Sequence, residues 1–473
     1  MERVARYILS RFPHQPTLGQ QMAAEAMVCF LYDPDESAAF VMKGYAGTGK
    51  TSLVSALIQS AEALGIHTLL LAPTGRAAKV LAGYSGEKAY TIHKKIYQTV
   101  TDSSGAMHMA RAFNKHKYTL FIVDESSMRV QEEGLGRRNL LDDLVDYVSE
   151  GDHCRLMFVG DTAQLPPVGA AESPALDLDY LRGAMGMKIH HCELTEVVRQ
   201  DRLSGVLLNA TLLRTKLTQM SVDGMPELPL FDVEDCEDVI RLGSADLEET
   251  LNREYDREGV EQVVVVTRSN KRANLFNQEI RNRVLFREEE INAGDYLMVV
   301  KNNYYWVDTE SDIGFIANGD IVEVMSARNY QELYGFRFVD ASLRFVDYPD
   351  APVQDCKLLL DTLHSEAPSL TAEESRRLFE AVMEDYADLP TKADRLRAVK
   401  QNPYYNALQI KFSYALTCHK TQGGQWATVI VDQGYLTEEM VDKEYLRWLY
   451  TAVTRATERV YLLNFKENFF AAE

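Results

Sequence analysis

The chain has 473 residues, 46% of them hydrophobic, and a formal net charge of −20. That length exceeds one ordinary core and predicts two to four domains. The acidic balance points away from a protein that coats nucleic acid through a broad basic face, since such a face works by releasing counterions at each Lys or Arg contact.

Global charge speaks to solubility more than to a site, so a narrow channel remains compatible with it. Such a channel must be locally basic or must grip through amides and hydroxyls. No window reaches the roughly 18 uncharged apolar residues of a membrane span. The N-terminus, MERVARYILSRFPHQP, is charged and broken by Pro13 and Pro16, unlike a secretory signal. Cys29, Cys154, Cys192, Cys236, Cys356 and Cys418 lie far apart with no CxxC pair, which predicts free thiols in a reducing compartment. The expectation is a soluble, cytoplasmic protein.

Between residue 17 and about 200, short apolar runs alternate with helical stretches. Strands are predicted at AAFVMK (38–43), HTLLLA (67–72), YTLFIVD (118–124) and CRLMFVGD (154–161). Continuous apolar runs of this length fit strands covered on both faces of a parallel sheet. The fold class is α/β, a doubly wound βαβ series. KKIYQTVTDSSGAMHMARAF (94–113) interrupts it with two β-prone arms around Asp102-Ser103-Ser104-Gly105, a hairpin pattern. A second α/β series starts near 200 with VEQVVVVTRSN (260–270) and a helix placing Ala273, Phe276, Ile280 and Val284 on one stripe. It resumes at ALQIKFSYALT (407–417), ATVIVD (427–432) and RVYLLNF (459–465). The residues between 295 and 406 read as an insertion, a small β-barrel with an Asn318-Gly319 turn and an amphipathic helix from Thr371 to Tyr386. That helix opens on a Thr371…Glu374 capping box.

Residues 44–51, GYAGTGKT, form a GxxxxGK[ST] phosphate loop after a strand and before a helix, the context the motif requires. Gly44, Gly47 and Gly49 allow the tight turn that aims backbone N–H groups at phosphate oxygens. Lys50 is expected to neutralise the terminal phosphates of ATP, and the Thr51 hydroxyl to bind Mg²⁺. Ala46, Thr48 and Ser52 complete the nucleotide-binding set. In FIVDESS (121–127), Asp124 is placed to hold Mg²⁺ and Glu125 to polarise the attacking water. Gln164, in GDTAQLPPVG (160–169), is a neutral amide at the sheet edge that can report on a γ-phosphate.

These strings, in order, resemble superfamily-one helicases of the 5′-to-3′ branch, specifically the RecD-like and Dda-like group. PTLGQQ (16–21), GYAGTGKTS (44–52), APTGRAAKVL (72–81), TIHK (91–94), FIVDESSM (121–128) and GDTAQLPPVG carry the first half. ELTEVVRQ (193–200), SYALTCHKTQGGQW (413–426) and YTAVTRAT (450–457) carry the rest. The segment between Asp124 and Gly160 lacks the extended signature of the related Pif-type helicases. The resemblance implies two RecA-like domains, residues 1–200 and residues 201–294 with 407–473, with ATP between them and the barrel at 295–406. It implies adenine recognition by Gln20, a nucleotide contact at Gly423, and arginine fingers at Arg199 and Arg455.

The same resemblance assigns single-stranded DNA to Pro73, Thr74, Gly75, Thr91 and His93 on one domain and to Thr417, His419 and Lys420 on the other. It reads 94–113 as a pin that splits forked duplex DNA, although its tip carries small polar residues and no aromatic wedge. Work in DNA repair, recombination or replication is the corresponding expectation. Tyr304, Tyr305 and Trp306 can stack bases or pack in the barrel core. Two other readings share some motifs: a translocase that opens no duplex, and a P-loop signalling ATPase. His190-His191-Cys192 is not a metal site, because neighbouring strand residues point to opposite faces.

Overall fold

The computed structural model describes residues 1–470 except 13, 102–106, 127–138, 168, 171, 198–203, 220–227, 235, 309–310 and 312. In chain order the first strands are β1 (Ala38–Gly44), β2 (His67–Ala72), β3 (Ala89–Thr91), β4 (Tyr97–Thr101) and β5 (Met107–Arg111). They are followed by β6 (Thr119–Val123), β7 (Arg155–Gly160) and β8 (Lys188–Leu194). Six of these form one sheet in the order β3-β2-β6-β7-β1-β8. Every pairing in it is parallel.

Alternation within each strand builds a core on each face. Phe40, Met42, Ile122 and Val159 enter one apolar cluster, while Val41, Phe121, Val123 and Phe158 enter the other. Burying each such side chain contributes roughly 1.5–3 kcal/mol. β4 and β5 pair as a separate antiparallel hairpin. Its first arm starts at Tyr97, because Ile92–Ile96 is helical; its tip, 102–105, lies outside the described residues.

The second sheet contains β9 (Val239–Leu242) and β10 (Val263–Thr267), then β16 (Ala415–Thr417), β17 (Trp426–Asp432) and β18 (Ala456–Leu463). Between them run β11 (Tyr296–Val299), β12 (Ile321–Leu333), β13 (Phe336–Phe345), β14 (Gln354–Leu359) and β15 (Leu408–Phe412). The second sheet is ordered β16-β10-β17-β18-β9, and β11 to β15 close into a barrel. The sheet is again wholly parallel, so the architecture is two RecA-like layers plus a barrel.

The run 407–417, expected as one strand, divides: 408–412 close the barrel against β11 and 415–417 join the second sheet. The barrel is no pendant. Val263, Val265 and Ile430 of the sheet share one apolar cluster with Leu297, Val322 and Phe412 of the barrel. A buried ion pair, Arg281–Asp295 at 2.9 Å, pins the junction, and the Tyr414 hydroxyl donates to the same carboxylate at 2.8 Å. The expected stripe residues Ala273, Phe276, Ile280 and Val284 are all buried. Helix Ala372–Glu384 has the Thr371–Glu374 capping box.

The six cysteines are free thiols. Among the described residues no helix is long and apolar enough to cross a membrane, and none forms a cluster of three or more metal-ligating side chains. His190 instead pairs with Asp33 at 2.7 Å.

Candidate nucleotide cleft and strand surface

Parallel pairing puts the carboxyl ends of β1, β6 and β7 on one edge, so the loops that follow them converge. The loop after β1 turns through Gly47 and Gly49, whose φ angles of 72° and 82° disfavour any side chain. The Thr48 hydroxyl and the Lys50 ammonium donate to the Tyr45 carbonyl at 2.7 and 2.9 Å. Thr51 and Ser52 stand in the first turn of helix Lys50–Ala61. Gln20 is buried. Its amide donates to the Thr48 carbonyl at 2.9 Å and accepts from the Thr17 N–H at 2.9 Å. It therefore clamps the loop directly.

Asp124 and Glu125 follow β6. Burial, reinforced by the Glu125 charge, pushes the Asp124 carboxyl up to about 6, with Lys50 opposing. Glu125 has a φ of 51°, and its N–H donates to Asp124 Oδ1 at 2.9 Å. After β7, Gln164 is buried with its Oε1 lacking a hydrogen-bond partner among the described residues. A buried acceptor without a donor costs about 1–3 kcal/mol, so this oxygen calls for a donor beyond the described residues.

The second sheet meets this edge through helix Lys443–Val453 and the turn after it. The Tyr450 hydroxyl accepts from the Ala46 N–H at 2.8 Å and donates to Asp161 Oδ2 at 2.6 Å. Thr451 Oγ1 accepts from the Leu165 N–H at 2.8 Å, and Gln422, beside Gly423, donates to the Leu165 carbonyl at 2.6 Å. Arg455 is 4% exposed. It donates to the carbonyls of Thr451 and Gly424 and lies 3.8 Å from Glu125 Oε1. Arg199 lies outside the described residues. The cleft thus gathers the phosphate loop, two acids, an orphaned amide and an arginine from the opposite half.

The residues expected to hold a strand are spread over both halves. Thr74 Oγ1 accepts from Ala77 N–H and Thr91 Oγ1 from Lys94 N–H, both at 3.2 Å, so each hydroxyl caps a helix. Pro73 and Gly75 flank the first cap. A Cβ on Gly75 would stand 2.6 Å from Asp320 Oδ1 of the barrel, so barrel and loop are in close contact. The His93 ring is 6.5 Å from Phe315. On the other half Thr417 precedes helix Cys418–Thr421. Burial draws the His419 pKa down against the pull of Glu444. Burial and the Lys411 charge draw the Lys420 ammonium down to about 8.

Two residues inside the recognised strings were given no role by sequence reasoning. Tyr450 is one. Arg76 is the other: its guanidinium lies 4.0 Å over the Trp426 ring and donates to the Gln425 carbonyl at 2.7 Å, joining the two halves. The motif strings mark both positions, but only the fold shows what they touch. Of the three barrel aromatics, Trp306 is committed to packing, its Nε1 donating to the Asn406 carbonyl at 2.7 Å.

Residues 19–224 match the family model described as an AAA domain, and residues 412–463 match a UvrD-like helicase C-terminal domain. The chain is 28% identical over 430 residues to the ATP-dependent RecD2 DNA helicase of Deinococcus radiodurans, covering 89% of this chain and 46% of that one. It therefore spans about half the length of that relative. It is 31% identical over 164 residues to the ATP-dependent DNA helicase dda of Enterobacteria phage T4, 34% of each chain. A Bacteroides Pif1 helicase solved with ADP-AlF3 and ssDNA superposes with a TM-score of 0.48 at 15% identity, covering 97% and 95% of the two chains.

Proposed function

We propose that the chain is an ATP-driven DNA helicase akin to the RecD-like and Dda-like helicases of superfamily one. The observation that carries this reading is the buried junction across the cleft, where Tyr450 and Arg455 of one half meet Ala46, Asp161 and Glu125 of the other. Residues 1–200 and 201–294 with 407–473 are read as its two ATPase domains, and 295–406 as the inserted barrel domain.

The residues fit ATP with Mg²⁺. The glycine turn curls the loop tightly, Thr51 and Asp124 offer oxygen ligands to a hard cation, and the Gln164 oxygen has no partner among the described residues. The bound nucleotide supplies the free energy of phosphoanhydride cleavage. Lys50 holds phosphate charge, Glu125 orients the attacking water, and Arg455, with Arg199 by resemblance, neutralises charge that develops on the transferring group. Gln20, expected at the adenine, would act in addition by holding the loop through Thr48. Pro73, Thr74, Gly75, Thr91 and His93 face the strand on one half, and Thr417, His419 and Lys420 on the other. Alternate closing and opening of the cleft would move the strand one step per cycle, 5′ to 3′, toward the hairpin at 94–113.

Steady-state ATP hydrolysis with and without unstructured single-stranded DNA, followed by duplexes with 5′ or 3′ tails, tests this. Strong stimulation together with opening of 5′-tailed duplex is expected. Stimulation without opening would make the protein a strand translocase. Hydrolysis indifferent to DNA and RNA would overturn the motor reading and favour a signalling ATPase.

A further inference from the structure

Helix Gly75–Ser85 begins where the loop expected at the strand ends, so Arg76 rides on its first turn beside Gly75. Its side chain crosses to the opposite half. The guanidinium carbon lies 4.0 Å from the centre of the Trp426 ring, and Nη2 donates to the Gln425 carbonyl at 2.7 Å. Trp426 is buried, and a cation over a ring is held most strongly where water is excluded. The charges of Asp347 and Glu261 offset part of the cost of burying the guanidinium. A Cβ on Gly424 would stand 2.5 Å from the Trp426 ring and 3.1 Å from Arg76 Cδ, so a side chain there would crowd the stack. A second tie comes from the same helix, where the Tyr84 hydroxyl donates to Gln425 Oε1 at 3.1 Å.

The segment that receives Arg76 also holds the arginine of the cleft. Arg455 Nη1 donates to the Gly424 carbonyl at 3.4 Å, and the Trp426 N–H donates to the Arg455 carbonyl at 3.0 Å. The same Nη1 lies 3.8 Å from Glu125 Oε1. Residues 424–426 are therefore tied to Arg76, next to the strand-facing loop, and to Arg455, next to the acid of the hydrolytic site. A planar guanidinium stacks and donates at once, which a lysine cannot do.

We infer, on the reading that a single strand lies along Thr74 and Gly75, that Arg76 is a positioning residue: it transmits occupancy of the strand surface to Arg455 through Gly424–Trp426. A strand settling on Gly75 shifts the helical turn, the guanidinium moves with it, and the ring and the Gly424 carbonyl carry the shift to Arg455. Each link is a direct contact, the physical form that coupling between two sites requires.

ATP turnover of the full chain with and without oligo-dT of about 16 nucleotides tests it, beside oligo-dT affinity read by fluorescence anisotropy across a salt series. The variants are Arg76→Gln, Arg76→Lys, Trp426→Leu and the double variant Arg76→Gln/Trp426→Leu. Thermal melting checks each fold, and the single variants that melt as wild type decide. Stimulation by oligo-dT should fall about ten-fold in every single variant, within the range that coupling contacts command. Arg76→Lys should not rescue it, because the charge returns without the planar stack. DNA-free turnover and oligo-dT affinity should stay within about two-fold of wild type, as loss of a group that touches neither nucleotide nor strand requires. The double variant should lose no more than the worse single one, since both break one contact. Equal loss of turnover with and without DNA would reduce Arg76 to support of the cleft and overturn the relay. Weaker binding by Arg76→Gln, with a log–log salt slope smaller by roughly 0.7, would make Arg76 a phosphate contact and overturn it too. Full stimulation in the single variants, rescue by lysine, or losses that add in the double variant would each refute it. A wild type that oligo-dT does not stimulate would bring down the motor reading itself.

Discussion

Lys50 keeps its ammonium on the Tyr45 carbonyl, a neutral acceptor that a phosphate oxygen would outcompete. Nothing else in the loop replaces that charge, so Lys50→Ala should abolish hydrolysis in a phosphate-release assay; full activity would sink the site assignment. Arg455 contacts Glu125 only loosely, at 3.8 Å, as suits a group that acts on charge developing in the transition state. Arg455→Ala should leave ATP affinity within a few-fold while turnover drops on the order of 10³-fold, read by fluorescent-nucleotide titration beside steady-state kinetics. Equal loss of both would mark a structural role. At this scale the sequence was most legible where chemistry demands a residue type at fixed spacing, as in the phosphate loop. It was least legible where one hydroxyl serves two partners from afar. Nothing local to Tyr450 announces that it reaches Ala46.

Single elements were readable when they were continuous and apolar, as β1, β2, β6 and β7 are. β8, KIHHCEL, lies at the sheet edge with only Leu194 fully buried, so it gave no apolar run to find. The stretch 407–417 looked like one strand because apolar residues recur on both sides of Ser413, although two sheets claim them. The turn before β12 carries its own prediction. Asp320 accepts from the Ala317 N–H at 2.7 Å, and burial, with Asp347 nearby, pushes it from 3.8 up to about 8. Between those values the unfolded chain releases this proton while the folded one keeps it, so stability falls as pH rises. Asp320→Asn retains the acceptor and never ionises. It should flatten this loss and raise the urea midpoint at pH 8 relative to wild type, with little change at pH 4. Wild-type midpoints that do not fall across this window would refute the assignment.

Among the described residues the cleft is bridged by apolar packing, with Ala163 and Leu165 in one cluster with Trp426 and Tyr450, and by buried polar contacts, of which Tyr450 makes two. Tyr450→Phe deletes its hydroxyl alone, and with it a hydrogen bond to a carboxylate worth about 1.5–3 kcal/mol. If that bond favours the closed arrangement, turnover at saturating ATP should fall roughly ten-fold or more, with small-angle scattering showing a more open particle. An unchanged rate and particle size would reduce Tyr450 to packing. The order of motifs made the two-sheet plan readable; the sharing of one apolar cluster between the second sheet and the barrel was not, since it joins residues far apart in the chain. The barrel also has a consequence for how such a chain can change over time. Its first and last strands, β11 and β15, pair side by side, so the polypeptide leaves the sheet and returns to it at almost one point. An excursion with adjacent ends can lengthen, shrink or be exchanged at little entropic cost, because closure entropy grows only with the logarithm of length. The barrel is thus a graft point at its outer loops, where an appendage could be fitted while the strands that share the sheet's apolar cluster stay with the engine.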